Sequence, residues 1–188
     1  IDPKTEENGD VTYRVTLRRG LKFSDGSTIG ARDYLFSFLL LSSPQVQTMT
    51  GITPPYTHIV GFDEYHNGST EVFSGLRLIN NQTFTLRIKS EYLPYFYETA
   101  YININPYPIA VIVPGAEVKD DGEGAYISGE MTEDLLRETI LDNADGYLSH
   151  PAVTSGPYRL LSYDPQKHVA EFEINPYYLG NYEGQLPS

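Results

Sequence analysis

The residues of this chain able to carry chemistry are four histidines, His58, His66, His150 and His168, 25 acidic residues and no cysteine. A metal needs ligands gathered at helical i, i+4 spacing or in a short loop, and none of the four histidines has such a partner. Asp63, Glu64 and His66 stand close together but read as a solvated loop. The run Asp120-Asp121-Gly122-Glu123-Gly124 lacks the alternating ligands and terminal Glu of a calcium loop, so it reads as an exposed acidic turn. Ser155-Gly156 is not framed by the Gly-x-Ser-x-Gly elbow that presents a nucleophile, and the glycines match neither a phosphate loop nor a dinucleotide fingerprint. A pair of carboxylates meeting as in a glycoside hydrolase stays open, because their separation is set by the fold. The expectation is a chain with no catalytic residue, no metal ligand and no cofactor.

Composition narrows the partners. The formal net charge is −12 and the pI about 4.6, which argues against nucleic acid, since phosphate binding requires clustered Lys and Arg. Without cysteine there are no disulfides and no thiolate chemistry. The longest apolar run, Tyr34 to Leu41, is far too short to span a bilayer, so no membrane span is expected. Sixteen tyrosines and no tryptophan supply flat apolar faces with polar tips, suited to binding surfaces and to sheet edges alike. A length of 188 residues fits one domain or one lobe of a larger protein. The opening Ile1-Asp2-Pro3-Lys4 has no initiator Met, and the reading is of a piece of something longer.

The elements that must position any site follow from periodicity. Val11 to Leu17 alternates strictly, which predicts a half-buried strand with Val11, Tyr13, Val15 and Leu17 on one face. Ser24-Asp25-Gly26-Ser27 is a turn, because Asp can accept from its own downstream backbone and Gly can take positive φ. A helix is expected from Gly30, with Asp33 near its positive end and an almost wholly apolar body that belongs between layers. Ser42 to Pro55 reads as a loop by composition, and a short helix near Gly61 to Tyr65 ends at Asn67-Gly68. Leu76–Ile79 and Thr83–Ile88 form a hairpin with Phe84, Leu86 and Ile88 inward. Pro94 opens a short aromatic helix through Ala100, broken over Asn103 to Pro108. Ile109 to Val113 reads as a strand, and Glu133 to Asn143 as a helix capped by Thr132. A last hairpin joins Tyr158–Tyr163 to Val169–Ile174. The fold class is α/β, or mixed α+β, with mixed or antiparallel sheets, hairpins and flanking helices.

The stretch Tyr13 to Gly26, containing Lys22-Phe23-Ser24-Asp25-Gly26, followed by Ala31-Arg32-Asp33-Tyr34, resembles the signature of the family 5 extracellular solute-binding proteins. Leu93-Pro94-Tyr95-Phe96-Tyr97, Thr154-Ser155-Gly156-Pro157-Tyr158 and Asn175-Pro176-Tyr177-Tyr178 resemble later motifs of that family, in the same order. Gly30 stands where a Thr usually caps the helix, Leu179 where Trp is usual, and Val118 to Tyr147 is longer than the family spacing.

The resemblance implies the first lobe of a periplasmic-binding-protein type II fold, with residues 1–188 forming part of that lobe, its opening strands before Ile1 and a second lobe after Ser188. It implies the peptide-binding component of an ABC importer, outside the cytoplasm, in the periplasm or on a Gram-positive surface as a lipoprotein. Partners would be a peptide or another small solute and, through the whole protein, the importer's permease. The family layout points to Thr48, Met49 and Thr50 and to Tyr101, Asn103, Asn105 and Tyr107 as ligand-facing; Asn103 and Asn105 read equally as turn residues around Pro106. Receptors for nickel, oligosaccharides or signalling peptides share such folds, and a carbohydrate-active enzyme lobe is the alternative from another class.

Overall fold

The computed structural model describes residues 1–94, 98–181 and 184–186. Four strands, β1 (Asp2–Thr5), β2 (Val11–Thr16), β3 (Leu76–Asn80) and β4 (Thr83–Ile88), form one sheet in the order β1-β2-β4-β3. All pairings are antiparallel, the second of the two sheet kinds the sequence allows. The alternation read from the sequence sets the register: Tyr13 pairs with Leu86 and Val15 with Phe84, so these side chains share the inner face.

Helix α1 (Ala31–Ser42) lies against that face, and Leu35, Phe36, Phe38, Leu39 and Leu40 are no more than 2% exposed. Each such side chain contributes roughly 1.5–3 kcal/mol by leaving water. The helix starts as expected: Asp33 Oδ2 accepts the Gly30 amide at 2.8 Å. A side chain at Gly30 would place its Cβ 2.9 Å from the Asn81 carbonyl oxygen, which itself accepts from Ala31. That close approach of the hairpin turn explains glycine where a capping Thr was anticipated. Asp25 Oδ1 accepts from the Ser27 amide and hydroxyl, and Gly26 takes φ +86°, so the predicted turn is present.

Two readings are corrected. Pro44 to Thr50 is not loop but helix α2 (Pro44–Thr50), started by Ser43, whose Oγ accepts the Val46 amide, with Pro at its first position. Ile109 to Ile112 is helix α4 rather than a strand; a short apolar run carries no period that separates the two. Between these lies α3 (Phe62–His66), near the position foreseen.

The long stretch Val118 to Tyr147 is built into the body. Strands β5 (Glu117–Asp120) and β6 (Ala125–Ser128) form a hairpin, followed by α5 (Glu133–Leu136), capped by Thr132, and a wide turn over Arg137–Leu141. Val118, Ala125 and Leu136 are fully buried. Asp120 is not a solvated loop residue: it receives Arg77 at 2.8 and 2.9 Å and the Leu78 amide at 2.8 Å, while Asp121 and Glu123 remain exposed. The last pair, β7 (Tyr158–Asp164) and β8 (Val169–Ile174), is a separate two-stranded ribbon. The aromatic helix predicted from Pro94 begins outside the described residues; Glu98–Ile102 is a 3₁₀ turn.

Candidate functional site

Three of the seven predicted ligand-facing residues meet. Met49, Thr50 and Tyr107 line an open groove of about 420 Å³, with Val46 from α2, Leu141 from the wide turn, and Tyr147. Tyr107 is placed from beneath by Ser37, a fully buried serine of α1 that accepts the Tyr107 amide at 2.9 Å and donates to the Asp33 carbonyl at 3.0 Å. Asp33 is itself pushed up to about 6, because burial disfavours its charge more than the Gly30 amide favours it.

Two hydroxyls of the groove are already occupied. Tyr147 donates to the Val153 carbonyl at 2.8 Å, and burial, with Tyr107 beside it, pushes its hydroxyl up to about 12. The two tyrosine rings meet edge to face at 6.1 Å. Thr50 donates to the Val46 carbonyl at 2.8 Å, the usual back-bond of a helical threonine. Such a surface holds an apolar group by burial and offers no paired nucleophile and base.

The other four predicted residues lie elsewhere. Thr48 is exposed and bonds back to the Pro44 carbonyl, because a helix turns successive side chains through about 100° and carries it off the groove face. Tyr101 joins an aromatic buttress: its ring stacks on His58 at 4.2 Å, and its carbonyl lies 3.1 Å from His58 Nε2. Burial lowers the His58 pKa, so the ring is a packing element against Tyr56 and Tyr92. Asn103 and Asn105 are exposed on a run without regular secondary structure. Val46 and Tyr147 were missed. Val46 and Met49 sit at i, i+3, a helical signal hidden by reading the segment as loop.

Among the described residues no three of His, Asp and Glu gather as a metal would require. His66 Nδ1 lies 2.9 Å from the Ser42 carbonyl with its ring stacked on Phe62, and Asp63 pairs with Lys89 at 3.2 Å.

Three of the segments that carried the resemblance, around Ser24, Thr154 and Asn175, come together in one joint. The Ser24 amide donates to the Thr154 carbonyl at 2.8 Å, and Ser24 Oγ accepts the Thr154 amide at 3.0 Å. Asn175, 2% exposed, donates to the Gly156 carbonyl and accepts the Tyr177 amide, both at 2.9 Å. Lys22 stands 5.3 Å over the Tyr177 ring, and Arg18 donates to the Leu179 and Asn181 carbonyls. Beyond this joint the β7–β8 ribbon holds Tyr158, Leu161, Tyr163, Val169, Phe172 and Ile174 between 44% and 60% exposed.

Comparison with known proteins gives a match to the bacterial extracellular solute-binding proteins, family 5 Middle, over residues 2–187. The oligopeptide-binding protein OppA of Lactococcus lactis subsp. lactis (strain IL1403) is 29% identical over 176 residues, covering 90% of this chain and 25% of that protein. The periplasmic oligopeptide-binding protein OppA of Escherichia coli (strain K12) is 30% identical over 108 residues, 57% of this chain and 19% of that protein. Among solved structures, lactococcal OppA complexed with an endogenous peptide in the closed conformation superposes with a TM-score of 0.62 at 21% identity, over 95% of this chain and 29% of that one. The fold is thus shared, and this chain spans about a quarter of the length of its lactococcal relatives.

Proposed function

The chain belongs to the bacterial extracellular solute-binding proteins of family 5, and from that premise we propose that it is part of the first lobe of a receptor that captures an oligopeptide for an ABC importer. The capture is non-catalytic. Support comes from the relatives, named as oligopeptide-binding proteins, and from a lactococcal neighbour that holds a peptide. The observation that carries the reading within this chain is the groove of Met49, Thr50 and Tyr107, in which the Thr50 and Tyr147 hydroxyls are bonded internally and whose apolar wall suits a neutral side chain.

In this reading a second lobe closes on the ligand, and closure is a population shift driven by contacts to both lobes. The six exposed apolar side chains of β7 and β8 are then covered by further parts of the same receptor. The working place is the periplasm or the outer cell surface, and the importer's permease is the partner that receives the loaded receptor. No helix among the described residues is long and apolar enough to cross a membrane.

Calorimetry of the whole receptor against di- to hexapeptides, oligosaccharides and nickel tests the proposal. Saturable heat with peptides is expected. Silence from every peptide alongside a response to a sugar or to nickel overturns it.

A further inference from the structure

The outer face of the four-stranded sheet carries a cluster of donors that neither the groove nor the joint uses. Alternation that sends Tyr13, Phe84 and Leu86 inward puts Thr12, Arg14, Arg77, Thr85 and Arg87 on the opposite face. The register sets Arg14 and Arg77 on either side of Thr85, and Arg87 directly across from Thr12. Three guanidinium groups thus surround one threonine in a chain with a net charge of −12 and 13 basic residues. Like charges on neighbouring strands repel, so this arrangement calls for anions.

Arg77 has its anion in Asp120, held at 2.8 and 2.9 Å. Arg87 has a looser one: the carboxylate of Asp10 stands 3.7 Å from its Nε, which is shielded from solvent and makes no hydrogen bond among the described residues. Asp10 is engaged elsewhere, accepting Asn8 Nδ2 at 2.8 Å and the Ser90 amide at 3.0 Å. Glu6 is likewise held, by Lys4 at 2.9 Å and Thr12 at 2.7 Å. A shielded donor without a hydrogen bond is an exception in a folded protein. The rest of the Arg87 side chain, 40% exposed, lines a cleft of about 360 Å³ with Arg77 and the hydroxyl-bearing Thr12, Ser74 and Thr85, exposed Glu123 being the one carboxylate of the lining among the described residues.

We propose that this cleft is an oxyanion site that takes the carboxylate of a small organic acid or of a peptide C-terminus, with the outer nitrogens of Arg87 as principal donors and the hydroxyls of Ser74 and Thr85 completing the cradle. A planar carboxylate matches the guanidinium geometry and supplies a closer acceptor than the Asp10 carboxylate at 3.7 Å. The site lies on the far side of the sheet from α1, and it stands apart from the peptide reading, since acetate alone suffices to probe it.

The test is ¹H–¹⁵N NMR of the 188-residue chain titrated at constant ionic strength with sodium acetate, N-acetyl-dialanine, the C-terminal amide of that peptide, and sodium phosphate. Saturable shifts at the amides of Ser74, Thr85 and Arg87 are expected with acetate and the peptide acid, and none with the peptide amide. Tighter binding of the peptide acid than of acetate identifies a peptide terminus as the source; equal binding identifies a free acid. R87Q weakens binding at least tenfold, and R87K retains part of it. Because acid and amide are compared on the unaltered protein, the result does not depend on the variants folding. Linear shifts, an equal response to acid and amide, saturation by phosphate alone, or an undiminished affinity in R87Q would each overturn the proposal.

Discussion

Helix α1 and the β7–β8 ribbon are both rich in apolar residues, yet they end in opposite surroundings. Along α1 five large side chains are no more than 2% exposed, whereas Phe172 on β8 is 60% exposed. The difference lies in what each element finds to cover it. Sheet, α2, α3 and the β5–β6 hairpin enclose α1, while the ribbon is tied to the body through the joint at Ser24, Thr154 and Asn175. Periodicity therefore states that a face is apolar, and only the remaining elements decide whether it is buried.

The comparison is sharpened first by Phe36→Ala. Loss of a fully buried phenylalanine is expected to destabilise the chain by about 3–5 kcal/mol, read as a lower urea midpoint. If the loss is under about 1 kcal/mol, α1 is not the centre of the body. Next comes Asn175→Ala, which strands the Gly156 carbonyl and Tyr177 amide and is expected to cost about 1–3 kcal/mol locally. Tryptic cleavage at Arg159 and Lys167 then accelerates while the melting of the body hardly moves; simultaneous loss of both would mean that ribbon and body are one cooperative unit.

A smaller effect comes from Asp33. Its carboxyl sits at about 6 in the folded chain against an ordinary 3.8, so the folded state holds the extra proton between those values. The contribution of this one group to stability is fullest below pH 3.8 and is lost as pH rises through about 6. Asp33→Asn removes that part of the pH slope in urea titrations, and an unchanged slope would show the group is not the source. Smallest of all, Phe172→Ser is expected to change stability by no more than about 0.5 kcal/mol while lowering binding of an apolar dye.

Much of the body was legible because its signals are local. The alternation from Val11 to Leu17, the Asp25-Gly26 turn, the Asp33 helix start and the hairpin through Asn80 and Gln82 each depend on neighbours in sequence. Helix α2 was not, since Gln45, Gln47, Thr48 and Thr50 read as loop and mask both the Ser43-Pro44 cap and the i, i+3 pair Val46 and Met49. The groove was half legible. Met49, Thr50 and Tyr107 came from the family layout, but Tyr147 reaches the groove from the wide turn after α5, and no local pattern links it to Tyr107. Asn103 and Asn105 share the polarity of binding residues, and polarity does not fix direction.

The stretch from Val118 to Leu136 packs along α1 beside β3, burying Val118, Ala125 and Leu136, and is buckled to β3 by Arg77 and Asp120. This sets a lower limit on the piece that can stand alone. A truncation at Pro114 keeps the whole four-stranded sheet and α1, and so looks tidy on paper, but it strips one wall from the helix. Such a product is expected to collect in inclusion bodies, whereas one ending shortly after Pro151 retains every wall of α1 and stays in the supernatant.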